Sequence, residues 1–270
     1  MHPILLKIGP FTLFSYGALV ATGFLVATAL GARSIRDRKP THPGARPGEV
    51  VDLTSLVLLG GLIGGRLFYG ALHFEEFLPN LLTIFALWQG GLVWYGGFIG
   101  GVITLWIYTR LHGRQFLVTL DDAIPFAALA HAFGRIGCFL NGCCYGKPTD
   151  AWYGMTFVTT EEPVIPTQLL EAAGLILIFW VLRRIQLNRG DALIRAPGRL
   201  FALYLISYGS LRFGIEFLRG DQMHWIAGLT LQQFISAALI ALGLVGLKIV
   251  RPADSSSTVA NAAHVRIHNR

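Results

Sequence analysis

Seven apolar runs set the limits on what this chain can become. They are Phe11–Ala32, Val51–Leu72, Leu92–Thr109, Ala123–Leu140, Leu169–Leu182, Leu200–Phe217 and Trp225–Val250. A helix needs about 20 mostly apolar residues to cross the hydrocarbon core of a bilayer. Six runs reach or approach that length, and the fifth does so only if it begins inside the preceding loop. Charged residues make up 14% of the chain, against about 25% in a soluble domain. The expected fold is therefore all-α, a polytopic membrane helix bundle of about seven transmembrane helices. Residues 1–250 read as a single domain and 251–270 as a polar, disordered cytoplasmic tail. No internal repeat marks a solenoid or a second domain. The first run lacks a small-residue cleavage site with a polar mature region behind it, so it reads as a retained span.

The basic residues alternate from one connection to the next. Lys7 alone precedes the first run, and Arg33, Arg36, Arg38, Lys39 and Arg46 follow it. The second connection has Glu75 and Glu76 and no Lys or Arg, and the third has Arg110 and Arg114. The fourth sets Lys147 against Asp150, Glu161 and Glu162, and the fifth holds Arg183, Arg184, Arg189, Arg195 and Arg199. The sixth pairs Arg219 with Asp221, and Lys248, Arg251, Arg266 and Arg270 close the chain. Low and high counts in turn are the positive-inside pattern of a bundle with its N-terminus outside and its C-terminus in the cytoplasm. The net charge of +7 is thus a topology signal, and nucleic acid is not an expected partner.

That topology places three arginines inside the outer half of the bundle. They are Arg66 after Gly64-Gly65, Arg135 in His131–Thr149 (HAFGRIGCFLNGCCYGKPT), and Arg212 in Tyr208–Asp221 (YGSLRFGIEFLRGD). An arginine in the middle of a spanning helix costs roughly 2.5–3.5 kcal/mol on insertion scales, and such residues usually face a polar cavity. A guanidinium fork binds phosphate bidentately and stays charged when partly buried. Glycines at this density let a backbone and a ligand approach closely. The constellation fits a lipid phosphate at the outer leaflet, with the charge that develops on a leaving phosphate stabilised by the arginines.

Each residue also has a structural reading. Arg66 is near a span end, where it could snorkel. Arg212 and Glu216 are spaced to neutralise one another on one helix face. Tyr16 and Trp88 suit interfacial aromatics, Asn141-Gly142 suits a turn, and Asp121 and Asp122 suit caps at the start of the fourth span. Cys138, Cys143 and Cys144 are the chain's three cysteines. They form no C-x-x-C pair and read as small buried residues, so no metal and no cofactor is expected.

Beyond these separate readings, SYG (Ser15–Gly17), GGRLFY (Gly64–Tyr69), WQGGLVWYGGFIGG (Trp88–Gly101), GRIGCFLNGCCYGKPT (Gly134–Thr149), PTQLLE (Pro166–Glu171) and YGSLRFGIEFLR (Tyr208–Arg219) occur in this order over about residues 10–250. Together they resemble the phosphatidylglycerol–prolipoprotein diacylglyceryl transferase family of the bacterial plasma membrane. The resemblance implies a seven-span transferase of the inner membrane with its active site toward the outer face. It would move the diacylglyceryl group of phosphatidylglycerol onto the lipobox cysteine of a prolipoprotein signal peptide, forming a thioether and releasing glycerol phosphate. By similarity, Arg135 and Arg212 would hold the phosphate. Tyr16, Arg66, Asn141, Gly142, Gly146, Tyr208, Glu216 and Arg219 match further positions of the family pattern, with Tyr16, Asn141 and Glu216 expected near the chemistry and the others in substrate binding.

Several positions depart from that pattern. Tyr95 stands where many members have the histidine of a histidine-glycine-glycine motif, which leaves it to orient the head group and leaves the base unassigned; an ordinary tyrosine, with a pKa near 10, is a poor one. Cys138 replaces a frequent asparagine, Cys143 a glutamate found in some members, and Ile165-Pro166-Thr167-Gln168 a frequent histidine-proline-serine-glutamine. Two alternatives stand beside the transferase: a divergent head-group transferase with another acceptor, told apart by its product, and a non-catalytic carrier of lipids or anions. The absence of an inverted repeat counts against the carrier.

Overall fold

A computed structural model describes residues 4–8, 11–37, 46–78, 80–86, 91–188, 196–220, 224–226 and 228–250. The expected tail at 251–270, and Trp88 of the third motif, lie outside these residues. The chain is mostly helical. Strands β1 (Ile4–Ile8) and β2 (Phe11–Phe14) form an antiparallel hairpin that leads into α1 (Ser15–Asp37). Then come α2 (Pro47–Leu72), the single turn α3 (Phe74–Phe77), a 3-10 turn (Leu81–Phe85), α4 (Trp94–Leu111), α5 (Phe116–Asn141), α6 (Thr167–Asn188) and α7 (Arg199–Glu216). A second hairpin, β3 (His224–Ile226) with β4 (Leu229–Thr230), precedes α8 (Leu231–Ile249).

Each apolar run thus contains or overlaps a long helix, but the edges move. The first and last runs begin in hairpin strands: Phe11–Phe14 pairs with Ile4–Ile8 before the first helix starts, and His224–Ile226 with Leu229–Thr230 before the last. Helix α5 starts at Phe116, so Asp121 and Asp122 lie within its second turn and do not cap it. Helix α6 begins at Thr167 and continues to Asn188, which lengthens the short fifth run at both ends.

Four of these helices, α1, α2, α5 and α8, are long and apolar enough to cross a membrane by length and composition. Helices α6 and α7 carry Glu171, Arg183 and Arg184, and Arg212 and Glu216, and charges within a helix lower its hydropathy. The burial pattern is inverted relative to a soluble protein. Leu59, Ile63 and Leu67 of α2 and Leu177, Trp180 and Val181 of α6 are exposed, while Arg66, Gln168, Glu171, Gln186, Arg212 and Glu216 are buried. Apolar side chains outward and polar ones inward suit a helix set whose outer solvent is lipid.

The chain divides into two compact units, one of Phe24–Phe126 and one of Met1–Gly23 with Ala127–Arg270. In the first, α2 and α4 meet through glycines. A Cβ on Gly64 or Gly96 would run into the carbonyl oxygen of the other, and one on Gly100 into that of Gly60. This is small-residue packing, in which backbones approach closely because nothing stands between them. Arg66 is buried here. Its Nε donates to the Ile84 carbonyl (2.7 Å), Nη2 to those of Thr83 (2.8 Å) and Ala86 (3.3 Å), and Nη1 to that of Gly91 (3.2 Å). It therefore does not snorkel; its N–H donors hold backbone carbonyls at Thr83, Ile84, Ala86 and Gly91. In the second unit, α7 and α8 pack as closely: a Cβ on Gly209 would lie 2.9 Å from the Ser236 carbonyl oxygen, and one on Gly243 2.7 Å from that of Ala202.

Candidate active site

In the unit containing α6 and α7, a buried carboxylate gathers the charges. Glu171 sits one turn into α6, with only 2% of its side chain exposed. Its Oε1 lies 3.0 Å from Arg135 Nη2 of α5, and its Oε2 lies 3.5 Å from Arg212 Nη1 of α7. Arg212 Nη2 lies 2.7 Å from Glu216 Oε2, one turn along the same helix. Thr230 Oγ1 donates to Glu216 Oε1 (2.9 Å) and accepts from the Gln233 N–H, while the Gln233 side chain returns to the Thr230 N–H. This capping box starts α8 and ties the site to it. The pairing of Arg212 with Glu216 that their spacing predicts is present, and Glu171 adds a second partner.

The cluster of Arg135, Arg212, Glu171 and Glu216 sums to zero charge, which makes its burial tolerable. It still has unspent capacity. Arg135 Nε is buried with no hydrogen-bond acceptor among the described residues, and Gln168 Oε1, close by on α6, is buried with no donor. Tyr208 O–H donates to Glu171 Oε1 (3.4 Å), and its ring packs edge-on against His131 at 5.2 Å. Tyr16, at the start of α1, lies against Gly137, where a Cβ would come within 3.2 Å of its ring.

The loop after α5 is held by backbone pairing. Gln168 Nε2 donates to the Cys143 carbonyl (2.6 Å) and Thr167 Oγ1 to that of Cys144 (2.9 Å). The Gly146 N–H donates to the Ile165 carbonyl (2.8 Å) and the Lys147 N–H to that of Leu218 (2.8 Å), so Gly146 bridges to Arg219. Gly142 has a φ of +74°. A Cβ on Gly146 would press on the Leu218 carbonyl oxygen at 2.6 Å and on the Ile165 side chain at 2.9 Å. Both glycines are therefore required by the backbone path. Asn141 closes α5 and is exposed, and Arg219 is buried beside the loop.

The three cysteines do not sit apart as small core residues. All are half-buried and free, and their sulfurs lie within 4.8 Å of one another. Cys144 has a φ of +66°, the one positive value for a non-glycine among the described residues. A left-handed backbone costs such a residue roughly 1–2 kcal/mol. Its thiol is held below the ordinary thiol range by hydrogen bonds from Cys138 and Cys143, helped by the charges of Arg219 and Arg135.

A family model described as prolipoprotein diacylglyceryl transferase matches residues 3–249. The chain belongs to the prolipoprotein diacylglyceryl transferase family. It is 34% identical over 258 residues to the phosphatidylglycerol–prolipoprotein diacylglyceryl transferase of Clostridium tetani, covering 93% of this chain and 98% of that one. Proteins of the same name from Cupriavidus pinatubonensis (31% identical, 90% of this chain and 88% of the relative) and Coxiella burnetii (32%, 90% and 93%) are similarly close.

For this family member, the structure gathers Arg135, Arg212, Glu216 and Tyr208 around one carboxylate, with Tyr16, Asn141, Gly142, Gly146 and Arg219 in the same unit. Tyr95 and Arg66 belong to the other unit, where Tyr95 is exposed on α4 and Arg66 serves backbone carbonyls. The residue that reasoning from sequence passed over is Glu171. It closes the PTQLLE stretch, and an acidic residue ahead of an apolar helix was the available signal.

Proposed function

We propose that this protein transfers the diacylglyceryl group of phosphatidylglycerol to the lipobox cysteine of a prolipoprotein signal peptide. The observation that carries the site assignment is the convergence of Arg135 and Arg212 on Glu171 with Arg135 Nε left unspent. Glu171 fixes the two guanidiniums so that their remaining N–H groups can receive the lipid phosphate. Gln168 Oε1 offers an acceptor that a head-group hydroxyl can satisfy. A thiolate attacks the glycerol carbon that carries the phosphate. The C–O bond breaks, and the extra negative charge develops on the phosphate between the arginines, where fixed cations in a low-dielectric site stabilise it most. Tyr16 and Asn141 line the acceptor's approach. Tyr208 and Glu216 fix the arginines, and Gly142, Gly146 and Arg219 shape the loop.

Residues 1–250 act as one domain of seven spans in the bacterial inner membrane, N-terminus outside and C-terminus cytoplasmic, with the site toward the outer face. The alternation of basic residues supports this. The test uses purified protein, phosphatidylglycerol labelled in an acyl chain, a lipobox peptide and its Cys→Ser counterpart. Label moves to the cysteine peptide alone and is lost in folded Arg135→Ala and Arg212→Ala. Undiminished transfer by both variants refutes the site assignment, and no transfer by the parent protein refutes the function.

A further inference from the structure

The loop that leaves α5 folds its sulfurs into one place. Cys138 is one turn from the helix end. Gly142 and Cys144, both at positive φ, turn the chain so that the Cys143 and Cys144 thiols come back onto Cys138. The Cys143 N–H donates to the Cys138 carbonyl (3.2 Å), and Gln168 and Thr167 hold the next two carbonyls from α6. Three thiols are thereby arranged in advance, none in a disulfide. A thiophilic ion with metal–sulfur bonds of about 2.3 Å sets tetrahedral sulfurs about 3.8 Å apart, which fits sulfurs all within 4.8 Å. The donor set is all soft sulfur, which selects against magnesium and calcium. Three thiolates and a divalent ion sum to one negative charge. Arg135, three residues before Cys138 on α5, and Arg219, bridged to Gly146, place positive charge beside it.

We propose that Cys138, Cys143 and Cys144 bind one thiophilic divalent ion of the zinc type as three thiolates, with a fourth position at which the acceptor's cysteine thiol coordinates. The metal site stands on the sulfur geometry; the role of its open position rests on the transferase reading above. A free thiol of pKa near 8.5 is only about 3% ionised at pH 7, whereas a thiol bound to such an ion is a thiolate outright. The ion thus does the work of a general base. On coordination the acceptor S–H gives its proton to solvent. The sulfur pair then forms the S–C bond to the glycerol carbon as the C–O bond breaks, and that pair leaves on glycerol phosphate between Arg135 and Arg212. The product thioether carries no charge and is a weaker ligand, so it leaves the ion. No oxidation state changes.

The test starts from full-length protein purified in reductant without chelator. Elemental analysis finds zinc at one ion per chain. After exchange with cobalt, the protein shows sulfur-to-cobalt charge-transfer bands, which Cys138→Ser, Cys143→Ser and Cys144→Ser each abolish while their helix content and unfolding temperature certify folding. A lipobox peptide shifts the cobalt d–d bands and its Cys→Ser counterpart does not. Removing the ion slows transfer at pH 7 by up to about thirtyfold, the ratio of a full thiolate to one of pKa near 8.5, and zinc restores it. Failure to bind zinc or cobalt with three titratable thiols, or with two of them tied in a disulfide, overturns the metal site. Full-rate transfer by metal-free protein overturns the open-position role and leaves the transferase reading intact. Cobalt bands that respond to the peptide with no transfer under any condition overturn the transferase reading and leave the metal site.

Discussion

Replacing Glu171 with Gln removes the charge that both site arginines share while keeping the shape of the side chain. The cluster then passes from zero to one net positive charge in a buried setting, with Arg135 left without its 3.0 Å partner and Arg212 held by Glu216 alone. Breaking a buried ion pair by removing one partner costs about 3–5 kcal/mol, because an uncompensated charge stays behind. We expect Glu171→Gln to lose about that much, read as a lowered denaturation midpoint in lipid nanodiscs with an unchanged slope. The reasoning also fixes a sign for the double variant. Arg212→Gln alone leaves one excess negative charge, and Glu171→Gln with Arg212→Gln returns the cluster to neutrality. The pair should therefore cost about 1–3 kcal/mol less than the sum of its singles. Transfer should fall in Glu171→Gln even at saturating phosphatidylglycerol, since the arginines are no longer held where charge develops. Strict additivity, or a variant as stable and active as the parent, would refute the account of Glu171 as the organiser of the site.

Four further outcomes follow from the contacts. Gly146→Ala should lower stability by about 1–3 kcal/mol and impair transfer, because the added methyl meets the Leu218 carbonyl and Ile165; chemical denaturation and the transfer assay check both. Arg66→Gln should open the segment between α2 and α4 to limited proteolysis, since four carbonyls each lose the arginine as a donor. Thr230→Val should cost about 1–2 kcal/mol in unfolding free energy by removing the cap of α8 and the donor to Glu216. Gln168→Leu should weaken discrimination between phosphatidylglycerol and a phospholipid without head-group hydroxyls, measured as the ratio of their kcat/KM values, because the orphaned Oε1 is its acceptor.

Much of the fold was legible because lipid imposes a simple length rule, and the apolar runs coincide with the long helices. The hairpins at Ile4–Phe14 and His224–Thr230 were hidden inside apolar runs, since hydropathy does not distinguish a strand at the edge of a span from its first turn. Arg135, Arg212 and Glu216 were legible as charges in apolar surroundings. Glu171 was less so, because it stands at the margin of a run. The thiol cluster was not legible: the cysteines have no conventional spacing, and the turn made at Gly142 and Cys144 brings the sulfurs together. The carbonyl partners of Arg66 were not legible, because sequence does not reveal that a guanidinium has backbone carbonyls within reach.

The central claim is the fate of the two halves of the lipid, and it is tested most directly by labelling them separately. One phosphatidylglycerol carries label in the glycerol of its diacylglyceryl group and another in its head-group glycerol. The account predicts that the first label moves to the peptide cysteine in a bond that resists hydroxylamine, as a thioether does, while the second is released as glycerol phosphate. Head-group label on the peptide, or a hydroxylamine-labile acyl group alone, would contradict it.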